Sequence, residues 1–254
     1  MNLLVGAISG NYSVDKIRTW VESSDNFDCR RTVILYNGKD NPELAQYLSH
    51  KKVQVIFPDV DFWGNKKDFF EHHTGKINLL NSYDLIHNNR FLYINRLLST
   101  NNFEKVLVTD VSDVRFTRDP FSEIPNDKLI ATSEVITYGE EDWNFHHMLY
   151  NIGIFGHEFK EYEVLNVGVF GGSAELVKDI SRDIMLLSVG KPKVADQTSY
   201  NYLIRTHYKD KTTITSLEDK FAVHLQVVVD GLVKLDYDTI DDYAIVHQYD
   251  RIKK

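Results

Sequence analysis

The chain has 254 residues, enough for one large domain or two small ones with a full core. Lys plus Arg number 29 against 37 Asp plus Glu, a net charge of −8, and this surplus of acid argues against general nucleic-acid binding, which needs clustered cations. A single cysteine, Cys29, excludes an intrachain disulfide and a multi-cysteine zinc site, and no apolar run reaches the ~20 residues that a membrane span requires.

Strand-like and helix-like segments alternate from the start. Asn2 to Ser9 (NLLVGAIS) is an apolar run closing at Gly10-Asn11, which predicts a buried strand and a turn. Ser13 is placed to cap a helix with Val14, Ile17 and Val21 on one face. Arg31 to Tyr36 is β-branched and apolar, a second strand ending at Asn37-Gly38. Asn41-Pro42-Glu43 has the composition of a helix start, with Asn at the cap and Pro at the first helical position. Val53 to Phe57 is a third strand, stopped by Pro58. A long helical stretch follows from Asp68 to Ser99, broken near Gly75 and Ser82, with Phe91, Ile94 and Leu98 on one face. Lys105 to Thr109 (KVLVT) is the fourth strand.

Further on, Leu129 to Thr132 and Val164 to Phe170 read as strands, Leu176 to Leu187 and Gln197 to Tyr208 as amphipathic helices, and Tyr243 to Val246 as a late strand. Strands separated by helices imply crossover connections and a mainly parallel sheet covered on both faces. With no repeat, low-complexity tract or linker, the chain reads as a single α/β domain. On that reading residues 1–116 would be a nucleotide-binding half and residues 117–254 a partner-substrate half.

Several motifs are absent. Gly6-Ala-Ile-Ser-Gly10 follows a strand but is not GxGxxG, and neither a P-loop nor a GxSxG elbow occurs. His157-Glu158 lacks the second histidine of HExxH. The adjacent pairs His72-His73 and His146-His147 read as surface or partly buried histidines rather than ligands. Asp110-Val-Ser-Asp113 is one residue longer than the Asp-x-Asp of a haloacid-dehalogenase-type phosphatase.

The strongest local signal is KVLVTDVSDVRF, Lys105 to Phe116. An apolar strand delivers Asp110 at its carboxyl end, where ligands bind in open α/β sheets, and Asp113 follows in a turn. Two carboxylates ~5 Å apart repel by roughly 3 kcal/mol at an effective dielectric of ~20, which a shared proton or a hard divalent cation relieves. The alternative is that both aspartates only cap the turn. Elsewhere in the chain are Asn166-Val-Gly-Val-Phe-Gly-Gly172, a strand running into glycines; Asp196-Gln197 at a helix start; His247-Gln-Tyr-Asp-Arg251; and Arg90 on the helix before the acidic strand. Taken singly, Asp196 is a helix cap, Gly171-Gly172 a turn, His247 a core histidine and Arg90 the partner of a surface acid.

Taken together, GAISGNY, the Arg90 helix, TDVSDVRFTRDPF, LNVGVFGG, ADQ and VHQYDR resemble the GT-A-fold glycosyltransferases, whose donors are nucleotide-diphosphate sugars. The resemblance runs in order from residue 2 to 251, and the chain departs from it in spacing, having Asp-x-x-Asp for the usual Asp-x-Asp. It implies a Rossmann-like sheet and a metal-dependent transfer of a sugar, UDP-linked first of all, to a glycan or other hydroxyl acceptor. Asp113 and His247 would bind Mn²⁺ or Mg²⁺, and Asp110 would face the donor ribose or the ion through water. Ala7, Ile8, Ser9 and Tyr12 would hold the nucleotide, Arg90 would steady the donor near Asp110, and Asn166 with Gly171 and Gly172 would line the donor-sugar and acceptor side. Asp196, with Gln197, would reach the reacting centre. Asp196 is the first candidate for a general base, with Glu140 and Glu141 behind it. Tyr138 to Trp143, rich in acids and aromatics, suits a sugar acceptor or a plain helix start.

A non-catalytic nucleotide-sugar or glycan binding module on the same scaffold is the competing reading. A sugar nucleotidylyltransferase is weaker, since GAISGNYS lacks a basic residue. The N-terminus MNLLVGAISG has no basic segment ahead of a long apolar one, so the expected location is cytoplasmic, with any membrane contact made through a partner.

Overall fold

The apolar residues of NLLVGAIS are buried on both sides of the chain, as a central parallel strand requires. This strand, β1 (Asn2–Ser9), lies between β2 (Cys29–Tyr36) and β4 (Lys105–Thr109), with β3 (Gln54–Ile56) outside β2, and all four are parallel. The computed structural model describes residues 1–36, 38, 41–58, 82–188, 191 and 195–252. The predicted helical stretch from Asp68 to residue 81 with its break at Gly75, the pair His72-His73, and Asn37 lie outside the described residues.

After β5 (Val114–Phe116), the sheet is completed by β6 (Leu129–Thr137), β7 (Glu163–Ser173) and β8 (Thr212–Thr215), giving the order β3-β2-β1-β4-β7-β6-β8. Among the described strands, only β7 runs against its neighbours, β4 and β6, so the sheet is mostly parallel. A small second sheet joins β5 to β10 (Ile245–His247) and β10 to β9 (Ala222–His224).

Helices cover both faces. On one, Phe91, Ile94 and Leu98 of α3 (Ser82–Thr100) meet Val177, Ile180 and Ile184 of α5 (Ala174–Ser188) and Tyr200 and Leu203 of α6 (Ala195–Thr206). On the other, Ile17, Trp20 and Val21 of α1 (Val14–Ser23) pack with Leu44 and Leu48 of α2 (Pro42–His50). The predicted cap at Asn41 is present, its side chain accepting from the Leu44 N–H at 3.0 Å. Ser13 occupies the cap position of α1 but makes no side-chain cap bond. A third apolar cluster underlies the small sheet, joining Ile136 and Tyr138 to Met148 of α4 (Asp142–Ile152) and to Val223 and Val246.

Two details aim the cleft. The Trp20 indole N–H donates to Thr109 Oγ1 at 2.9 Å, fixing α1 beneath the residue before Asp110. Asn41 also donates to the carbonyls of Gly10 and Tyr12, at 2.8 and 3.0 Å, and so shapes the loop after β1.

Candidate active site

The parallel strands β1 and β4 end at one rim of the sheet, and a cleft of about 480 Å³ opens there. A recess of about 90 Å³ adjoins it, lined by Ala7, Ile8, Ser9 and Tyr12; Arg90, Asp110 and Asp113 border both. Asp110 is held at the end of β4 by its N–H donating to the Gly168 carbonyl at 2.7 Å. A Cβ on Gly168 would stand 2.5 Å from Asp110 Oδ2, so only glycine lets this carboxylate lie against β7.

His247 arrives from 134 positions beyond Asp113 through backbone pairing. β10 runs antiparallel to β5 with His247 opposite Val114, and the Asp113 carbonyl accepts from the Gln248 N–H at 2.6 Å. His247 Nε2 thereby comes 3.5 Å from Asp110 Oδ2 and 3.8 Å from Asp113 Oδ1. One ligand atom from each of the three lies within 4.8 Å of the others, a set able to hold a metal ion. Among the described residues, Asp113 Oδ1 and His247 Nε2 are both buried without a hydrogen-bond partner, which a hard cation would supply.

The other flank of Asp110 has a protein counter-charge. Arg90, 3% exposed, donates to Asp110 Oδ1 at 2.6 Å and to Asp196 Oδ2 at 3.2 Å. Arg90 therefore spends its charge on two protein carboxylates, and Asp196, which lines the cleft, is tied into that pair at the start of α6, its Oδ1 buried with no hydrogen-bond partner among the described residues. Burial works to raise Asp110, but Arg90 first and His247 next outweigh it and hold it well below the usual carboxylate range. Asp113 is held above that range by burial, with His247 opposing and the like charge of Asp110 adding. For His247, burial is outweighed by Asp110 and Asp113, so its imidazole is raised.

Asn166 and Gln197 line the cleft with their polar ends engaged. Asn166 Oδ1 accepts from Gly168 N–H at 2.8 Å, and Gln197 Oε1 accepts from Val167 N–H at 2.9 Å. Asn166 Nδ2 donates to Glu134 Oε1 at 2.7 Å. Glu134 sits where β6 loses register with β7, beside Val135 at φ +62°, so an irregular strand turns its carboxyl into the cleft. Burial pushes it up to about 7, against the pull of Asn166 and His247. The sequence reading passed over Glu134, whose signal was one acid inside an otherwise apolar and hydroxyl-bearing strand. It also passed over His224, buried behind His247 and held well below the ordinary histidine range by burial and by its neighbour.

Gly171 and Gly172 do not reach the cleft. They pair with Leu107 and Val106, toward the opposite end of β4 from Asp110, and a Cβ there would strike the Val106 and Lys128 carbonyls at 2.6 and 2.5 Å. The approach they permit is of neighbouring strands, and the glycine at the site is Gly168. Glu140 closes a turn by accepting from Thr137 N–H and Oγ1–H at 2.8 and 2.9 Å, away from the cleft, whereas Glu141 caps α4 and lines the cleft with Trp143. His146 is on the surface, as expected, its ring bonded to the Asp142 carbonyl.

The strand order, the reversed β7 and the acid-bearing end of β4 match a GT-A-type fold. The crystal structure of mouse xyloside xylosyltransferase 1 in its apo form matches over 97% of this chain and 97% of its own, with a TM-score of 0.53 at 13% identity, a likeness of fold. No family model matches the sequence, and no curated protein sequence matches it. Among the described residues, no helix is long and apolar enough to cross a membrane.

Proposed function

We propose that this protein is a divalent-cation-dependent glycosyltransferase that moves a sugar from a nucleotide-diphosphate donor, UDP-linked first of all, to a hydroxyl of a glycan or other acceptor. The observation that carries the reading is the Asp110–Asp113–His247 cluster, with two buried and unpartnered ligand atoms at the carboxyl end of β4. Mn²⁺ or Mg²⁺ fits this set of hard and imidazole donors, and when bound it supplies positive charge where the leaving diphosphate builds negative charge. An acid-lined cleft favours this reading too, because Asp113, Glu134 and Glu141 would repel a bare pyrophosphate.

The chain's own residues divide the work. The recess at Ala7, Ile8, Ser9 and Tyr12 holds the nucleotide, with Asp110 toward the ribose or the ion. Arg90 fixes Asp110 and Asp196 in place instead of binding the donor directly. Asn166, Asp196 and Gln197 face the sugar, and Glu141 with Trp143 faces the acceptor. Glu134, near 7, is the carboxyl poised to take or give a proton on the acceptor side. Arg251, half exposed at the mouth, supplies a further cation for an anionic donor.

The test is a thermal-shift and turnover series with UDP, GDP and their sugars, with and without Mn²⁺. A nucleoside diphosphate should raise the melting temperature only with the ion, and a donor sugar should be hydrolysed or transferred. Asp113→Ala should abolish the metal-dependent shift and lower turnover by about 10²–10³-fold, the scale of losing one transition-state charge partner. No metal-dependent shift with any diphosphate would overturn the donor site, and binding without turnover would leave a binding module.

A further inference from the structure

His224 and His247 end the parallel neighbours β9 and β10 and are register partners. Their rings stand at 84° with centroids 5.2 Å apart, and the two Nδ1 atoms are 2.9 Å from each other. At that separation a single proton lies between them, and its owner follows from the groups behind. Thr132 Oγ1 is 2.7 Å from the Val169 carbonyl, which can only accept, so the hydroxyl proton is spent there. His224 Nε2 lies 3.0 Å from the same Oγ1, which is left as an acceptor, so His224 Nε2 carries a hydrogen. A neutral His224 then has a bare Nδ1, and the shared proton belongs to His247 Nδ1. A neutral His247 is left with its Nε2 lone pair, the unpartnered atom that faces Asp110 and Asp113.

We infer that His224 is a positioning residue, the link in a chain from the Val169 carbonyl through Thr132 that sets the tautomer and ring orientation of His247 and so presents Nε2 to a divalent cation. The inference rests on the cation reading above. A metal-bound imidazole takes its tautomer and basicity from the bond its other nitrogen makes, and loss of that partner weakens metal affinity by roughly 10–100-fold.

Two readouts test it on the full chain. Long-range proton–nitrogen NMR of the metal-free protein, above the titration of His247 and with its signals identified by their loss in His247→Gln, reports which nitrogen is protonated. Mn²⁺ titration followed by paramagnetic resonance reports affinity for the metal alone. Wild type should show His247 protonated at Nδ1. His224→Asn, whose side-chain oxygen replaces the accepting nitrogen, should keep that tautomer and bind Mn²⁺ within a few-fold of wild type. His224→Phe should lose the tautomer preference and bind Mn²⁺ about 10–100-fold more weakly. Should that variant not fold, Thr132→Val strips the acceptor behind His224, and mixed His247 tautomers are expected. A wild-type His247 protonated at Nε2, or a Phe variant with wild-type tautomer and affinity, overturns the role of His224. A wild type that takes up no Mn²⁺ while His247 is protonated at Nδ1 sinks the cation reading alone.

Discussion

Asp110 stands between two differently built neighbourhoods. On one side Arg90 lies between it and Asp196, so two carboxylates share one buried guanidinium. On the other, Asp113 Oδ1 and His247 Nε2 are buried with no hydrogen-bond partner among the described residues. The first flank carries its counter-charge in the sequence; the second leaves it to come from outside. The contrast teaches that an acidic pair near a strand end divides by partner, one carboxylate serving the fold and the other kept free at a cost in stability.

Substitutions with opposite signs test that division most sharply. Arg90→Met leaves Asp110 and Asp196 uncompensated in a buried setting and should destabilise the protein by about 3–5 kcal/mol, measured by denaturant unfolding. Asp113→Asn in metal-free protein removes a charge that burial and Asp110 already disfavour, and should be neutral or stabilising. Equal losses from both would erase the difference between the flanks.

The next effect is a pH dependence centred on Glu134. Its folded value of about 7 lies above the ordinary ~4.3, so the folded protein binds the extra proton between these values. Stability from this group is full below ~4.3 and is lost as pH rises through 7. Glu134→Gln carries no such loss, so its unfolding free energy should gain on wild type between pH 5 and pH 8, by up to about 3 kcal/mol. A constant gap across that range would mean that Glu134 is ionised in the folded cleft throughout.

Much of the scaffold was legible because it rests on local patterns. KVLVT followed by Asp110 gave the strand and its acidic end, and Asn41-Pro42 gave a helix start that the structure reproduces. The arrival of His247 beside Asp113 was implied by resemblance alone, since the β5–β10 pairing that produces it joins residues far apart in sequence. Glu134 showed only as a lone acid in its strand and His224 had no local signature: one depends on a loss of register against β7, the other on a hydroxyl from β6. Gly171 and Gly172, expected to line the site, lie toward the other end of β4 from Asp110. Glycine in a strand marks a close approach without saying whether a ligand or another strand makes it.

That ambiguity sets the smallest expected effect. Alanine at Gly168 puts a methyl 2.5 Å from Asp110 Oδ2 and 2.9 Å from Asn166 Oδ1, side-chain atoms able to yield. The expected cost is about 1–3 kcal/mol, with Asp110 displaced and Mn²⁺ affinity reduced. Alanine at Gly172 meets the Lys128 carbonyl at 2.5 Å with φ at +150°, so its strain falls on the backbone between β7 and β6. That variant should lose stability while its folded fraction binds Mn²⁺ as wild type does. Unfolding and Mn²⁺ titration of the two variants together assign each glycine its region. Equal Mn²⁺ affinities in the folded fractions would remove Gly168 from the site, because its place there rests on the closeness of Asp110.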